Sequence, residues 1–306
     1  MTKRSQHLAT VKANTPLCRE HFRLTLSLPS FSVTEPGQFV QLLCRPVDDP
    51  LGEQIELQWE PGSARARGAE LLSPLAMLRR PFSLAARRDT SSGVELDVIH
   101  RVVGTGTQWL SELALGDSVS VIGPLGNQFG LPAPGGTGLL VAGGVGIPPM
   151  LYLAEKLKGG AVAFCGATSR DLLPFELIED ATAADAPAMR VAEFARHHVP
   201  AVVTTDDGSF GFRGFVTQAL ERYLDSNSLD PSTCVIYTCG PEPMMKRVAE
   251  IAISRGISCQ VAVERAMACG MGTCQSCCIK VGKPDDWRYR LACTDGPIFA
   301  AGELLW

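Results

Sequence analysis

The chain has 306 residues, 45% of them hydrophobic and 20% charged, and a formal net charge of −4. Since a single core stops growing at about 250–300 residues, this length predicts two or three domains. The slight acidic excess gives no broad attraction to nucleic acid or to anionic membranes, so neither is expected as a partner.

The sequence shows neither an export signal nor a membrane span. Its N-terminal residues have a basic start but no apolar core, and the most apolar stretch, residues 138–154, is interrupted by glycines and by Pro148 and Pro149. Such a stretch is too short and too broken to cross a bilayer. We therefore expect a cytoplasmic protein, in which clustered cysteines bind metal or take part in redox chemistry more often than they form disulfides.

The first region, residues 1–133, contains short β-like runs separated by glycine and proline. This pattern predicts an antiparallel barrel or sandwich. Residues 60–76 are expected to form an inserted loop or short helix between two of the runs. The runs are residues 22–28, 37–44, 55–59, 81–86, 94–100 and 118–123.

In the second region, residues 134–262, β-like runs alternate with helical segments, which predicts a parallel sheet covered by helices. A third unit, residues 263–306, contains the cysteine-rich segment CGMGTCQSCC. The whole chain is thus predicted to be a multidomain α+β protein. The runs of the second region are residues 137–144, 161–167, 201–208, 233–240 and 258–263, and its helical segments are residues 147–158, 214–224 and 243–256.

Four of the eleven cysteines lie in the segment CGMGTCQSCC. Cys269, Cys274 and Cys277 have the spacing C-x4-C-x2-C, and Cys293 follows further along the chain. Plant-type ferredoxins bind a [2Fe-2S] cluster with this spacing, and glycines between the first two cysteines let backbone N–H groups approach the sulfurs. The spacing favours such a cluster over a structural zinc site or cysteines that pack in a core. Cys278 is one residue off the spacing and is left out of the ligand set.

Two glycine-rich turns each come before a predicted helix. Gly143, Gly144 and Gly146 follow a buried strand, and the next helix opens at Pro148. Free N–H groups at such a helix start bind pyrophosphate, although a purely structural turn gives the same pattern. The turn GTGT at residues 104–107, with Thr107 at or near the helix N-cap, has the same two interpretations.

Two more segments carry side chains that suit a cofactor. Arg80, Pro81, Phe82 and Ser83 offer a guanidinium for a phosphate, an aromatic face for a ring system and a hydroxyl, or else form an ordinary surface strand. Cys239 ends a strand at the carboxyl edge of the predicted sheet, where ligands bind in such folds. Its thiol is therefore expected either near a nicotinamide or in the core.

Taken in order, the segments R-P-F-S, G-T-G-T, G-G-V-G-I-P-P and C-G-P resemble the ferredoxin–NADP reductase superfamily. Members of that superfamily pair a flavin-binding β-barrel with a nicotinamide-binding α/β domain. The segments ERAMACGMGTCQSCCIKV and RLACTDGPIF are similar to those of the electron-transfer subunits of dihydroorotate dehydrogenase B, which carry FAD and a [2Fe-2S] cluster. The resemblance covers the chain from about residue 8 to its end. This sequence departs from the pattern in a longer stretch between Val47 and Leu78, and in His100, where an aromatic residue such as tyrosine would fit.

The resemblance implies roles for individual residues. Arg80 would lie near the FAD phosphates, Ser83 near the flavin ring and Cys239 near the nicotinamide. The four cysteines with the ferredoxin-like spacing would be the cluster ligands Cys269, Cys274, Cys277 and Cys293. The implied FAD contacts are Arg80, Pro81, Phe82, Ser83, Ile99, His100, Arg101, Gly106 and Thr107, and the implied NAD contacts are Gly143, Gly144, Gly146 and Cys239.

The resemblance also implies a function. Electrons would enter the [2Fe-2S] cluster from an FMN-containing dihydroorotate dehydrogenase catalytic subunit, pass to FAD and leave as hydride to NAD⁺, in pyrimidine biosynthesis. The assembly would be a heterotetramer with two copies of each chain. Two alternatives stay open, a stand-alone NAD(P)H-dependent reductase that serves a ferredoxin or a hydrogenase, and a flavin-free binding module. The residues do not distinguish NAD from NADP.

Overall fold

The computed structural model describes residues 5–48, 61–62, 76–178 and 186–306. In these ranges the chain forms a closed six-stranded barrel, a seven-stranded sheet with helices, and a small two-stranded sheet. The predicted combination of β-barrel, α/β sheet and small C-terminal unit is confirmed. The predicted run at residues 55–59 and most of the predicted insertion at 60–76 lie outside the described residues.

The barrel strands pair in the order β1-β2-β5-β4-β3-β6, and every pair is antiparallel. Strand β1, which the sequence patterns did not reveal, closes the barrel because it pairs with both β2 and β6. A short helix, α1, lies between β5 and β6. The bounds are β1 (Ser5–Cys18), β2 (His21–Leu28), β3 (Phe39–Leu42), β4 (Arg80–Thr90), β5 (Gly93–Arg101), α1 (Thr105–Ser111) and β6 (Ser118–Leu125).

The larger sheet has the order β10-β9-β8-β7-β11-β12-β15, in which only the last pair is antiparallel. Its strands are β7 (Thr137–Gly143), β8 (Ala161–Ala167), β9 (Ala201–Thr205), β10 (Phe212–Arg213), β11 (Cys234–Cys239), β12 (Ser258–Ala262) and β15 (Ile298–Ala300). Its helices are α2 (Ile147–Leu157), α3 (Ala192–Ala195), α4 (Val216–Ser226) and α5 (Glu242–Ser254). The small sheet pairs β13 (Cys278–Lys283) with β14 (Asp286–Leu291). Throughout the described ranges, no helix has both the length and the apolarity that a bilayer span requires.

The three predicted units share apolar packing. Phe39 of β3 packs in one core with Val141 of β7 and with two of the predicted cluster ligands, Cys277 and Cys293. Strand β15, from the predicted third unit, pairs with β12 of the second. The division at residues 133 and 262 stays a prediction, but the elements on either side of it are packed together.

Tyr152 of α2 links the larger sheet to the barrel. Its side chain is 2% exposed and packs in the barrel core. The hydroxyl donates a hydrogen bond to the backbone carbonyl of Thr34 at 2.9 Å and lies 2.9 Å from the Thr34 hydroxyl oxygen. Thr34 is itself buried, so this contact joins α2 to the segment between β2 and β3 in a water-poor environment.

The substitution Tyr152→Phe is expected to lower the free energy of unfolding by about 1–3 kcal/mol, because the buried polar groups of Thr34 lose their partner. Urea unfolding followed by circular dichroism measures the change. Tyr289→Phe is the matched control, since Tyr289 is 60% exposed and its loss of a hydroxyl should change the free energy by less than about 0.5 kcal/mol. Equal effects of the two substitutions would contradict this role of Tyr152.

Candidate functional site

The R-P-F-S segment (residues 80–83) begins β4, and all four of its residues are half-buried. Pro81 lies opposite Gln41 of β3, and Ser83 lies opposite Phe39. Because directly opposed residues share a face of a sheet, Pro81 and Ser83 lie on the outer face of the barrel with Phe39. Phe82 packs on the barrel core instead. The segment therefore divides its side chains between the two faces of β4.

Arg80 lies where the chain enters β4. Its Nη1 donates to the backbone carbonyls of Leu78 at 2.9 Å and Arg79 at 3.2 Å. A guanidinium has five N–H donors in a planar fork, so these two bonds orient the group and leave donors for an anion. This geometry fits a phosphate at the start of the segment.

His100 is the most enclosed of the three predicted contacts on β5. Its ring is 2% exposed, stacks on Phe22 at 5.8 Å between centroids, and meets the edge of Phe82 at 6.1 Å. Burial, and secondarily the neighbouring His21, lower the pKa of His100 to about 4, so the ring is neutral at pH 7. Neither ring nitrogen has a hydrogen-bond partner among the residues that the structure describes.

The residues on either side of His100 face different environments. Ile99 is buried in the core that includes α2 residues, such as Met150. Arg101 is exposed, pairs with Glu20 at 2.8 Å and lines the pocket described below. The three predicted FAD contacts on β5 therefore lie in three environments: Ile99 in a core, His100 in an aromatic enclosure and Arg101 at the wall of the pocket.

The GTGT turn is built from local contacts. Helix α1 begins at Thr105, so Thr107 is not the N-cap but its third residue. Its hydroxyl oxygen accepts the backbone N–H groups of Val103 at 2.9 Å and Gly104 at 3.1 Å. A Cβ on Gly106 would lie 3.0 Å from the Cβ of Cys44. These contacts shape the turn, and whether it also touches FAD stays a prediction.

Two buried polar side chains beside the R-P-F-S segment have no protein partner in the described part of the chain. They are His100, next to Phe82, and Gln41, opposite Pro81. Buried donors and acceptors are rarely left unpaired in native proteins. The unpaired ring nitrogens of His100 and the remaining donors of Arg80 fit FAD, which offers a ring with polar edges and phosphates.

The glycine turn after β7 packs against the turn after β11, backbone to backbone. A Cβ on Gly146 would lie 2.1 Å from the carbonyl oxygen of Cys239, and one on Gly143 would lie 2.9 Å from Sδ of Met244. Gly144 has φ +54° and open space beside it. The turn is thus closely packed at Gly143 and Gly146, whereas Gly144 between them has open space beside it.

A pocket of about 600 Å³ opens at this edge of the sheet. It lies beyond the carboxyl ends of the parallel strands, which is where such sheets bind ligands. Two of the predicted NAD contacts, Gly143 and Gly144, line it, whereas Gly146 and Cys239 are not among its lining residues. The lining residues are His21, Arg101, Gly143, Gly144, Val145, Gly166, Ala167, Thr168, Leu172, Asp206, Phe215, Val216, Thr217, Pro241, Pro243, Met244, Arg247 and Glu264.

Cys239 is 9% exposed and packs in an apolar core. Burial, with a smaller contribution from Glu264, raises the pKa of its thiol to about 12. The side chain is therefore a neutral thiol at pH 7. Its carbonyl positions the glycine turn, and a contact of the thiol with the nicotinamide stays a prediction.

The cysteine loop (residues 269–277) presents backbone N–H groups to a sulfur. Sγ of Cys269 accepts the N–H groups of Met271 at 3.3 Å and Cys274 at 3.4 Å. Gly270 and Gly272 have φ +70° and +89°, values that favour glycine and permit this tight wrap. The glycines predicted to admit N–H groups to the sulfurs therefore do so.

The four predicted ligands lie together as two pairs. The side chains of Cys269 and Cys274 interact at the exposed end, and those of Cys277 and Cys293 interact where both are 1% exposed. Within the described ranges, no group of three or more His, Cys, Asp or Glu side chains surrounds one point as a single metal ion requires. Two pairs of thiols are a donor set that iron–sulfur centres use. Cys278, which the spacing left out, is exposed at the start of β13.

The two pairs differ in their electrostatic environment. Hydrogen bonds, first from the Ser276 hydroxyl at 3.2 Å, lower the pKa of Cys274 to about 6. Burial, and then the neighbouring Cys277, raise the pKa of Cys293 to about 12. Cys293 is therefore a neutral thiol at pH 7 unless a cation is present, so binding of a metal by Cys293 releases a proton.

Two family models match the chain. The oxidoreductase NAD-binding domain matches residues 140–250, and the iron-sulfur cluster binding domain of dihydroorotate dehydrogenase B matches residues 264–305. The electron transfer subunit of dihydroorotate dehydrogenase B (NAD(+)) from Geobacillus thermodenitrificans is 34% identical over 97% of each chain. The chain belongs to this family of electron transfer subunits. The subunit from Desulforamulus reducens is 31% identical over 89% of this chain and 87% of its own.

Solved structures share the fold of the chain. An NADH-dependent reduced ferredoxin-NADP oxidoreductase, studied for flavin-based electron bifurcation, is 25% identical with a TM-score of 0.70, over 97% of this chain and 90% of that chain. The ferredoxin reductase of carbazole 1,9a-dioxygenase has a TM-score of 0.59 at 18% identity, over 83% of this chain and 67% of that chain, and shows the fold alone. The predicted family and fold are both confirmed.

Sequence reasoning missed part of the pocket of this family member. His21 begins β2, Arg247 lies on α5, and Glu264 lies in the segment after β12. No motif connects residues so far apart along the chain. Asp206 could have been found, because it directly follows β9 at the same sheet edge.

The substitution Gly146→Ala is expected to lower the free energy of unfolding by about 1–3 kcal/mol, because the new methyl group would overlap the Cys239 carbonyl. Chemical denaturation followed by tryptophan fluorescence measures the effect. Gly302→Ala serves as the control, since a Cβ there meets no atom within 4 Å. A Gly146→Ala protein as stable as the Gly302→Ala protein would show that the two turns are not closely packed.

Proposed function

We propose that the chain passes electrons from an FMN-containing dihydroorotate dehydrogenase catalytic subunit to NAD⁺, using a [2Fe-2S] cluster on the four cysteines and FAD on the barrel. The reaction would serve pyrimidine biosynthesis in a heterotetramer with two copies of each chain. A cytoplasmic location is part of the proposal. It is supported by the eleven cysteines, which all lie in the described ranges and are all free thiols, as in a reducing compartment.

One observation carries this proposal: the order of the barrel strands that lie between the cysteine loop and the pocket. The cysteine loop touches β3, where Gly270 lies against Gln41. The pocket touches β5, through Arg101. Strand β4, with the R-P-F-S segment, lies between β3 and β5 in the barrel. The predicted flavin segment is therefore next to both the cysteines and the pocket.

The residues of the barrel would hold FAD. Arg80 would bind its phosphates, while Ser83 and the buried ring of His100 would meet the polar edges of the flavin. A bound flavin exchanges a hydride with nicotinamide and single electrons with an iron–sulfur centre, which is why one chain combines these sites. Pro81 and Phe82 would shield the ring from water, since both are half-buried.

The four cysteines would bind the two irons of the cluster, and the glycine turn after β7 would bind NAD⁺. The pair Cys269 and Cys274 would hold one iron, and the buried pair Cys277 and Cys293 the other. Gly144 would let the NAD⁺ pyrophosphate approach the start of α2, where the positive end of the helix dipole favours anions. The exposed position of Cys274 supports electron entry from a partner at that end of the cysteine loop.

The deciding experiment combines the purified chain with an FMN-containing dihydroorotate dehydrogenase from the same organism. The proposal expects reduction of NAD⁺ to NADH, with oxidation of dihydroorotate to orotate, only when both proteins are present. Activity of the FMN protein alone with NAD⁺, or no activity of the mixture of fully loaded proteins, would refute it.

A second candidate function is a stand-alone NAD(P)H-dependent reductase of a ferredoxin-like protein. This function is favoured by the similarity to an NADH-dependent reduced ferredoxin-NADP oxidoreductase, which covers 97% of this chain. This alternative expects the chain alone to reduce a ferredoxin with NADH or NADPH, at a rate that an added FMN protein does not change. The same assays, run with each nucleotide, also determine the preference for NAD or NADP.

Replacing any one of Cys269, Cys274, Cys277 or Cys293 by serine is expected to remove most of the bound iron and the visible absorption of the iron–sulfur centre. The wild-type chain should carry about two irons. Cys278→Ser is the matched control, because it is an exposed neighbour outside the ligand set and should keep its iron. Colorimetric iron analysis after anaerobic purification measures the result. Full iron content in any of the four variants would contradict the ligand assignment.

A further inference from the structure

Gln41 of β3 has an unusual environment for an uncharged polar side chain. It is 0% exposed, and neither its amide nitrogen nor its amide oxygen has a hydrogen-bond partner among the described residues. Leaving a buried polar group unpaired costs about 1–3 kcal/mol. Such an amide, buried and unpaired within the protein, indicates that a bound group completes its hydrogen bonds.

The position of Gln41 identifies which group this is. Side chains alternate along β3, so that Val40 and Leu42 fill the barrel while Phe39 packs against the core that includes Cys277. Gln41 shares the outward face with Phe39. Its amide therefore lies on the side of the barrel that meets the cysteine loop.

The contact with the cysteine loop is close. A Cβ on Gly270, the residue after Cys269, would lie 2.8 Å from Nε2 and 2.8 Å from Cγ of Gln41. Gly270 also has φ +70°. Only a residue without a side chain allows the loop to lie this near to the amide, so the packing brings the Gln41 N–H donors beside the first cysteine.

At the start of the cysteine loop, a cysteine sulfur already accepts backbone hydrogen bonds. Sγ of Cys269 accepts those of Met271 and Cys274, both from the loop itself. Gln41 would add a donor from the barrel. Hydrogen bonds to the sulfurs of an iron–sulfur centre raise its reduction potential, because the reduced centre carries more negative charge than the oxidised one.

We propose that Nε2 of Gln41 donates a hydrogen bond to a sulfur of the iron–sulfur centre held by the cysteine loop. Gln41 is then a positioning residue that couples the flavin strand to the metal site and sets the reduction potential of that site. The inference rests on the proposed function, since it requires an iron–sulfur centre on these cysteines.

The first test replaces Gln41 by methionine, which keeps the size of the side chain and removes its donors. Gln41→Met is expected to shift the one-electron equilibrium of the iron–sulfur centre about tenfold toward the oxidised form, a fall of about 59 mV. A redox titration followed by electron paramagnetic resonance measures the centre, and the flavin absorbance is read in the same titration. An unchanged potential of the centre, or a shift of the flavin alone, overturns the proposal.

Two further variants control this test. Gln275→Met makes the same change within the cysteine loop at an exposed position, where water replaces the lost donor, and should leave the potential unchanged. Gln41→His restores an N–H donor and should recover at least half of the shift. A shift in Gln275→Met equal to that in Gln41→Met, or no recovery in Gln41→His, counts against the proposal.

A measurement on the Gln275→Met protein does not depend on whether Gln41 variants fold. The protein is made with ¹⁵N only in the glutamine side-chain amides, and its reduced centre is studied by pulsed electron–nuclear double resonance. A ¹⁵N coupling is expected from Gln41, and its absence overturns the inference. If the wild-type chain binds no iron–sulfur centre, the proposed function itself fails; if it binds one and no ¹⁵N coupling is found, only the role of Gln41 fails.

Discussion

Burial of the outer face of β3 is the constraint on which the arrangement of the three sites depends. Phe39 packs on that face with Cys277 and Cys293, while Val40 and Leu42 point into the barrel. A slip of one residue would exchange the faces, placing an amide in the barrel core and phenylalanine away from the cysteines. Because β3 also pairs with β4, its register fixes how near the R-P-F-S segment lies to the metal site.

Much of the fold follows from local sequence patterns. The runs at residues 22–28, 94–100 and 118–123 became β2, β5 and β6, since apolar residues that alternate with polar ones suit strands with one buried face. The spacing of the cysteines also predicted residues that the structure places together, because three of them lie on one short loop. The family was recognisable because its motifs are contiguous segments. The assignment of single residues to FAD and NAD stays a prediction.

What the sequence did not reveal depends on contacts between distant segments. Strand β1 was missed because its exposed positions carry varied polar residues and Pro16 interrupts its end. The sequence suggests no special role for Gln41, and its lack of partners, like that of His100, becomes visible only when the neighbouring elements are in place. The pocket likewise combines residues of two barrel strands, the ends of several strands of the larger sheet, and helices α4 and α5. No local pattern encodes that combination, since it arises from how the barrel docks on the sheet.

The pairing of β15 with β12 has a consequence for the integrity of the nucleotide sheet. The chain leaves this sheet at Ala262, forms the cysteine loop and the small hairpin, and returns at Ile298 to become its outermost strand. A protein that ended before residue 298 would present the unpaired backbone of β12 to other chains, and open edges of this kind promote aggregation. Strand β15 therefore covers the edge of β12. The cysteine loop and the small hairpin form an insertion between these two neighbouring strands of one sheet.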